Sequence, residues 1–301
     1  MWGGWSRPPE PAEPSPDGAA GEARVGLVDP AAARRLHLRT AAVAAVLTAG
    51  LAVATAYGRG GVLVGIAAVQ ALLVPAYVLG TRRPGRLGAM LLGLAAAGAA
   101  DTVLVVRDRT SLAVLVGVLA LAFPAMLLHQ LARGVVRVAV TESLGGVALL
   151  VTAEVGLSCC VALARATDGG RLVAALVLGA GAGLVVARLV DAAVPAPRIA
   201  DDVPHGLLGV VAATAAGAAA SAAVGVGATQ LTPARGALLG AVVAAVAALV
   251  AVGVGFVVAT AEPEPGRRDR LSPAYHACLG VALPLALAAP VGYLVALSVA
   301  G

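Results

Sequence analysis

The feature that most constrains this chain is a series of apolar runs, each about long enough to cross a bilayer as helix, joined by short polar links. A hydrocarbon core about 30 Å thick needs roughly 20 apolar residues as α-helix. By that measure the sequence predicts nine spans, at 40–57, 62–79, 87–106, 111–131, 143–163, 172–190, 206–229, 236–260 and 277–300. Backbone polar groups in lipid must be satisfied within the segment, so spans of this kind fold as helices. The expected fold class is therefore all-α, a polytopic helix bundle in the cytoplasmic (cell) membrane. Composition agrees: 60% of the 301 residues are hydrophobic and 12% charged, with a mean hydropathy of +0.94. Soluble domains carry about a quarter charged residues.

Residues 1–39 read as a cytoplasmic tail and juxtamembrane segment, Pro-, Gly- and Glu-rich at first, with Asp29-Pro30 as a helix start. Residues 40–301 form the membrane domain. Gly58-Arg59-Gly60 leaves room only for a tight hairpin between the first two spans, and Pro124, Pro284 and Pro290 are expected to bend their helices. All 21 basic residues are arginine. Fifteen fall on the side of the N-terminal tail, whereas Arg59, Arg107, Arg109, Arg165, Arg171 and Arg235 fall on the other. Cytoplasmic loops are enriched in such residues, so the N-terminus is expected inside and the C-terminus outside. The net charge of +5 lies in loops rather than along one face, which speaks against nucleic acid as a partner. Cys159, Cys160 and Cys278 lie within spans and read as small packing residues, not a disulfide framework.

Within the spans, carboxylates draw attention, because a charge near the bilayer centre costs several kcal/mol. Glu154 stands at the middle of the fifth span. It is a candidate proton relay or ligand for a cation or substrate amine; the alternative is a carboxyl hydrogen-bonded between helices, with Thr152 or Ser158 as its neighbour. Asp101, near the outer end of the third span, reads as an interfacial carboxylate reaching toward Arg107 and Arg109. On the cytoplasmic side Arg188, Asp191, Arg198, Asp201, Asp202 and His205 gather around the link after the sixth span, with His129, Gln130, Arg133, Arg137 and Glu142 on the same side. Arginines there suit a phosphate or lipid headgroup and aspartates a divalent cation, although a solvated loop has the same composition. His129 and His205 lack the short His/Cys/Asp spacing of a metal centre, and no zinc site is expected. There is no P-loop, no G-x-S-x-G and no G-x-G-x-x-G following a strand. Gly179, Gly181 and Gly183, with Gly236 and Gly240, give Gly-rich helix faces suited to close packing, either within the chain or between copies.

From Thr141 onward the order of features resembles the CDP-diacylglycerol synthase (phosphatidate cytidylyltransferase) family. The resemblance rests on Val140-Thr141-Glu142-Ser143-Leu144 opening a span, Asp168-Gly169-Gly170-Arg171 before the next, and Ala187-Arg188-Leu189 closing it. Ala196-Pro197-Arg198-Ile199 stands where the family has an Ala-Pro-x-Ile string, and the Gly206/Gly209 span follows. The resemblance implies a helical membrane fold of about nine spans and a phospholipid-related role. It also implies a divalent cation such as Mg, should the chain be an active nucleotidyltransferase. The sequence departs from the family at the metal-binding and cationic positions: Ala180 and Leu184 replace its Asp and Tyr, and Asp201, Asp202 and Val203 replace its paired lysines. Arg188 and Ile199 alone carry over from the signature. Cytidylyl transfer needs carboxylates for the metal and cations for the transition state. The expectation is thus a non-catalytic relative that binds lipid or a partner. A proton-coupled carrier using Glu154 and an active headgroup enzyme are the alternatives.

Overall fold

The structure, a computed structural model, describes residues 30–81, 85–107, 112–132, 140–194, 206–226, 231–260 and 272–300. Among them are nine α-helices: α1 (Pro30–Ala56), α2 (Gly58–Gly80), α3 (Arg86–Val106), α4 (Leu112–Ala132), α5 (Val140–Leu163), α6 (Gly169–Ala193), α7 (Leu207–Val224), α8 (Pro233–Thr260) and α9 (Ser272–Ala300). All nine are long and apolar enough to cross a membrane. Each expected span falls on one helix. α1 begins at Pro30, at the helix start expected there, well ahead of its apolar run. Proline lacks the N–H that a first helical turn leaves unused, so it starts α1, and Pro233 does the same for α8.

α1 and α2 are joined by almost nothing. Tyr57 (φ −90°, ψ 15°) ends α1, its N–H donating to the Ala54 carbonyl, and Gly58 turns the chain at φ +68°. Glycine adopts that left-handed conformation without a Cβ penalty. On the second helix of the hairpin, a Cβ at Gly61 would run into the Ala54 carbonyl, so α2 lies directly against α1 there.

The helices pack as two groups around α9. α2, α3, α4 and α5 form one group, in which α5 meets each of the other three. α1, α6, α7 and α8 form the second, tied mainly by α1–α6, α6–α7 and α7–α8 contacts. α9 packs against α1, α2, α5, α6 and α8, whereas the consecutive helices α5 and α6 barely touch. α5 is the most enclosed helix: Glu154, Leu157, Ser158, Cys160 and Leu163 have no exposed surface. Large side chains on the periphery, among them Val46, Val64, Leu87, Leu121 and Leu207, are exposed and suit a lipid-facing surface.

Small residues set how closely the second group packs. A Cβ at Gly179 would lie 2.9 Å from Gly240 Cα, and one at Gly183 would lie 2.7 Å from Ala244 Cβ. A Cβ at Gly236 would meet the Ser221 carbonyl, and one at Gly181 would meet Thr48 of α1. These glycines thus pack against neighbouring helices of the same chain, the first of the two uses to which their faces are suited. Ser221 Oγ, fully buried, donates to the Ala175 carbonyl at 2.7 Å and joins α7 to α6. Where α9 meets the other group, the imide nitrogen of Pro290 has no N–H for the carbonyl of Ala286, four residues earlier. That oxygen faces Gly156 of α5, where a Cβ would come to 2.7 Å, so α5 and α9 approach closely at this point.

A carboxylate pair enclosed by three helices

The middle of α2, the C-terminal half of α3 and the centre of α5 place four polar side chains together. Gln70 of α2 is 2% exposed, and its Nε2 donates to the Glu154 main-chain carbonyl at 3.1 Å and to Ser158 Oγ at 3.2 Å. Ser158 Oγ in turn donates to Asp101 Oδ1 at 2.6 Å. Glu154 and Ser158 are one helical turn apart, so they share one face of α5. The Glu154 carboxyl is fully buried, and neither oxygen has a hydrogen-bond partner among the described residues. Glu154 lies nine residues before the end of α5, and Asp101 five before the end of α3. At 1.5 Å per residue, these are roughly 14 Å and 8 Å from that end of the bundle.

The structure corrects the expected surroundings of both carboxylates. Asp101 turns inward instead of snorkelling: it is 8% exposed and bonded to Ser158, whereas Arg107 is exposed beyond the end of α3. Arg109 lies outside the described residues. A hydroxyl one turn away in the interior satisfies the carboxyl without carrying it to the interface. Ser158 therefore serves Asp101 and not the Glu154 carboxyl, and Thr152 is exposed on another face of α5. Gln70 went unrecognised at the sequence level, although an amide in mid-span, where a side chain must find a partner or face hydrocarbon, was the available signal.

Beyond Asp101 and Ser158, toward the same end of the bundle, is a cavity of about 290 Å3 lined by Arg59, Gly60, Leu63, Leu104, Val105, Val161 and Arg165. Arg165 follows α5 and donates to the Leu104 carbonyl in the last turn of α3, where a cation complements the helix C-terminus. Arg59 Nη2 donates to the Arg165 carbonyl at 3.4 Å. The α5–α6 turn beside it holds Asp168 at φ 58°, with its carboxylate 3.8 Å from Arg171.

The opposite end contains the described part of the loop cluster. Arg188 and Asp191 are buried on α6, one turn apart. Asp191 Oδ1 accepts from Gly206 N at 3.0 Å, so a side chain of α6 satisfies an N–H at the start of α7. Arg188 Nη2 donates to the Gly280 carbonyl of α9 at 3.4 Å. A Cβ at Gly209 would lie 2.5 Å from Asp191 Oδ1, and the cavity beside these residues measures about 10 Å3, room for one water. Arg198, Asp201, Asp202 and His205 lie outside the described residues. Gln130 Nε2 donates to Ser143 Oγ at 3.1 Å and joins α4 to α5. The His129 ring lies where a Cβ of Gly88 would stand. Among the described residues no group of His, Cys, Asp or Glu is arranged to hold a metal ion.

Nine apolar helices enclosing a polar centre define a multi-pass α-helical membrane protein. No family model, curated protein or solved structure matches the chain.

Proposed function

We propose that this protein is a proton-linked carrier of the cytoplasmic membrane in which Glu154 and Asp101 form the proton- or cation-binding pair. One observation carries the reading: a fully buried Glu154 carboxyl, without a hydrogen-bond partner among the described residues, one turn from the hydroxyl that holds Asp101. A bare carboxylate at that depth costs several kcal/mol, so a proton or cation must accompany its charge. Exchanging one for the other couples proton and substrate movement. With the N-terminal side in the cytoplasm, as the arginine distribution favours, the cavity beyond Asp101 opens toward the outside. Purified protein in liposomes adsorbed on a sensor electrode, stepped between pH values, should give a transient charge displacement. Glu154→Gln should abolish the transient and Asp101→Asn should reduce it. Equal transients in all three proteins would refute the assignment.

A second reading is favoured by the adjacency of buried Arg188 and Asp191 where the loop cluster begins. It is a non-catalytic relative of the CDP-diacylglycerol synthase family that binds lipid on the cytoplasmic side. Mass spectrometry of co-purifying small molecules separates the two: enriched phosphatidate, CDP-lipid or CTP supports kinship, and bulk lipid alone speaks against it.

A further inference from the structure

The geometry points to a phospholipid-headgroup site in the cavity between α2, α3 and α5, with Arg59 and Arg165 holding the phosphate. This assignment is independent of the role of Glu154. The cavity lies at the ends of the three helices, at the depth of an interface, and the charged side chains lining it are both guanidinium groups. Its other side chains, Leu63, Leu104, Val105 and Val161, are aliphatic. Val105 is 55% exposed, so the apolar wall continues onto the lipid-facing surface of α3.

Three features make phosphate the fitting ligand. Guanidinium groups bind phosphate oxygens through paired, charge-assisted hydrogen bonds. Arg165 is held in place by the Leu104 carbonyl, so its ordering does not have to be supplied by the ligand. Arg59 reaches the main chain of Arg165. Two cations thus line one cavity beside an aliphatic wall, a setting that favours an anion. The nearest described carboxylate along α3, Asp101, is buried one turn deeper and bonded to Ser158. The same cavity combines the two chemistries of a phospholipid: cations for the headgroup and an aliphatic wall for the start of the acyl chains. A volume of about 290 Å3 accommodates a phosphodiester headgroup and not a whole lipid. The acyl chains would lie along α3.

The test is native mass spectrometry of the full chain, released from nanodiscs containing phosphatidylcholine and phosphatidylglycerol in equal amounts. The wild type should retain one phosphatidylglycerol in preference to phosphatidylcholine. Arg59→Glu should weaken that retention about tenfold or more, the scale of one lost charge-assisted contact. Arg59 is exposed and ends in a long 3.4 Å bond, so this variant should fold. Arg171→Glu removes an exposed cation on the same side but outside the cavity, and should leave retention unchanged. Equal retention in Arg59→Glu, or equal loss in Arg171→Glu, would overturn the site. Binding of inorganic phosphate that displaces the lipid and depends on Arg59 would overturn the lipid assignment in favour of a free anion.

Discussion

Gly217→Ala adds a single methyl group at the point where three helices come closest. A Cβ there would lie 2.7 Å from the Gly240 carbonyl oxygen, 2.8 Å from that of Gly179, and closer still to the Ala244 methyl. A relaxed carbon–oxygen contact needs about 3.3 Å, so α7 would have to withdraw from α6 and α8 by about 0.5 Å. None of the three neighbours is the tip of a flexible side chain that can rotate away. Overpacking of this kind costs about 1–3 kcal/mol, and a gap of about 0.5 Å along the rest of the interface forfeits about a quarter of each contact energy. The same substitution at Gly98 meets nothing within 4 Å and should be neutral, or stabilising by about 0.5–1 kcal/mol through lower backbone entropy. Unfolding can be followed in mixed micelles of rising dodecyl sulfate content, with a maleimide dye reporting exposure of the buried thiols of Cys159 and Cys160. Gly217→Ala should fall below the wild type and Gly98→Ala at or above it, the two differing by about 1–4 kcal/mol. If Gly217→Ala unfolds with Gly98→Ala, α6, α7 and α8 are not in backbone contact and the account of the second group fails.

Ser158→Ala removes the hydroxyl that bridges Gln70 and Asp101, leaving both polar groups buried without it, and should cost about 1–3 kcal/mol. Combined with Gln70→Leu the two losses should be less than additive by about 0.5 kcal/mol or more, because they break one network; strict additivity in the same micelle titration would contradict it. Asp168→Gly should raise stability by about 1 kcal/mol, since glycine relieves the left-handed backbone at φ 58° while the half-exposed Arg171 contact contributes little. A lower unfolding midpoint for that variant would show that the carboxylate does more than the backbone analysis allows.

Apolar run length made the helices legible, because the bilayer ruler acts on each segment separately. Pro30 and Pro233 mark helix starts for an equally local reason. The inward face of each helix was hidden, because lipid and a membrane protein's interior are equally apolar and no amphipathic stripe separates them. Asp101 shows the consequence: distance to the helix end suggested Arg107, but rotation about the α3 axis directs the carboxyl to Ser158. Gln70 was overlooked for the related reason that its partners, both on α5, are set by helix neighbours the sequence does not reveal. Arg188 and Asp191 were found by type and position, but their use in tying α6 to α7 and α9 depends on Gly206 and Gly280, which carry no chemical label.

The abrupt turn at Gly58 separates two helices that belong to different groups, and this imposes an order on biogenesis. Of the nine described helices α1 is made first, yet its principal partner, α6, follows about a hundred residues later, roughly 5–20 s at the usual pace of synthesis. During that interval its α6-facing side, including Thr48, stands in lipid or against an insertion factor while its neighbour α2 is already pairing with α3. α9, which touches both groups, follows the other eight. Of the nine helices α9 is thus the one that closes the bundle, and a ribosome stalled before residue 272 would leave two half-assemblies, held together by the one-residue link at Tyr57, the short α5–α6 turn and the contacts of α5 with α6 and of α2 with α1 and α6.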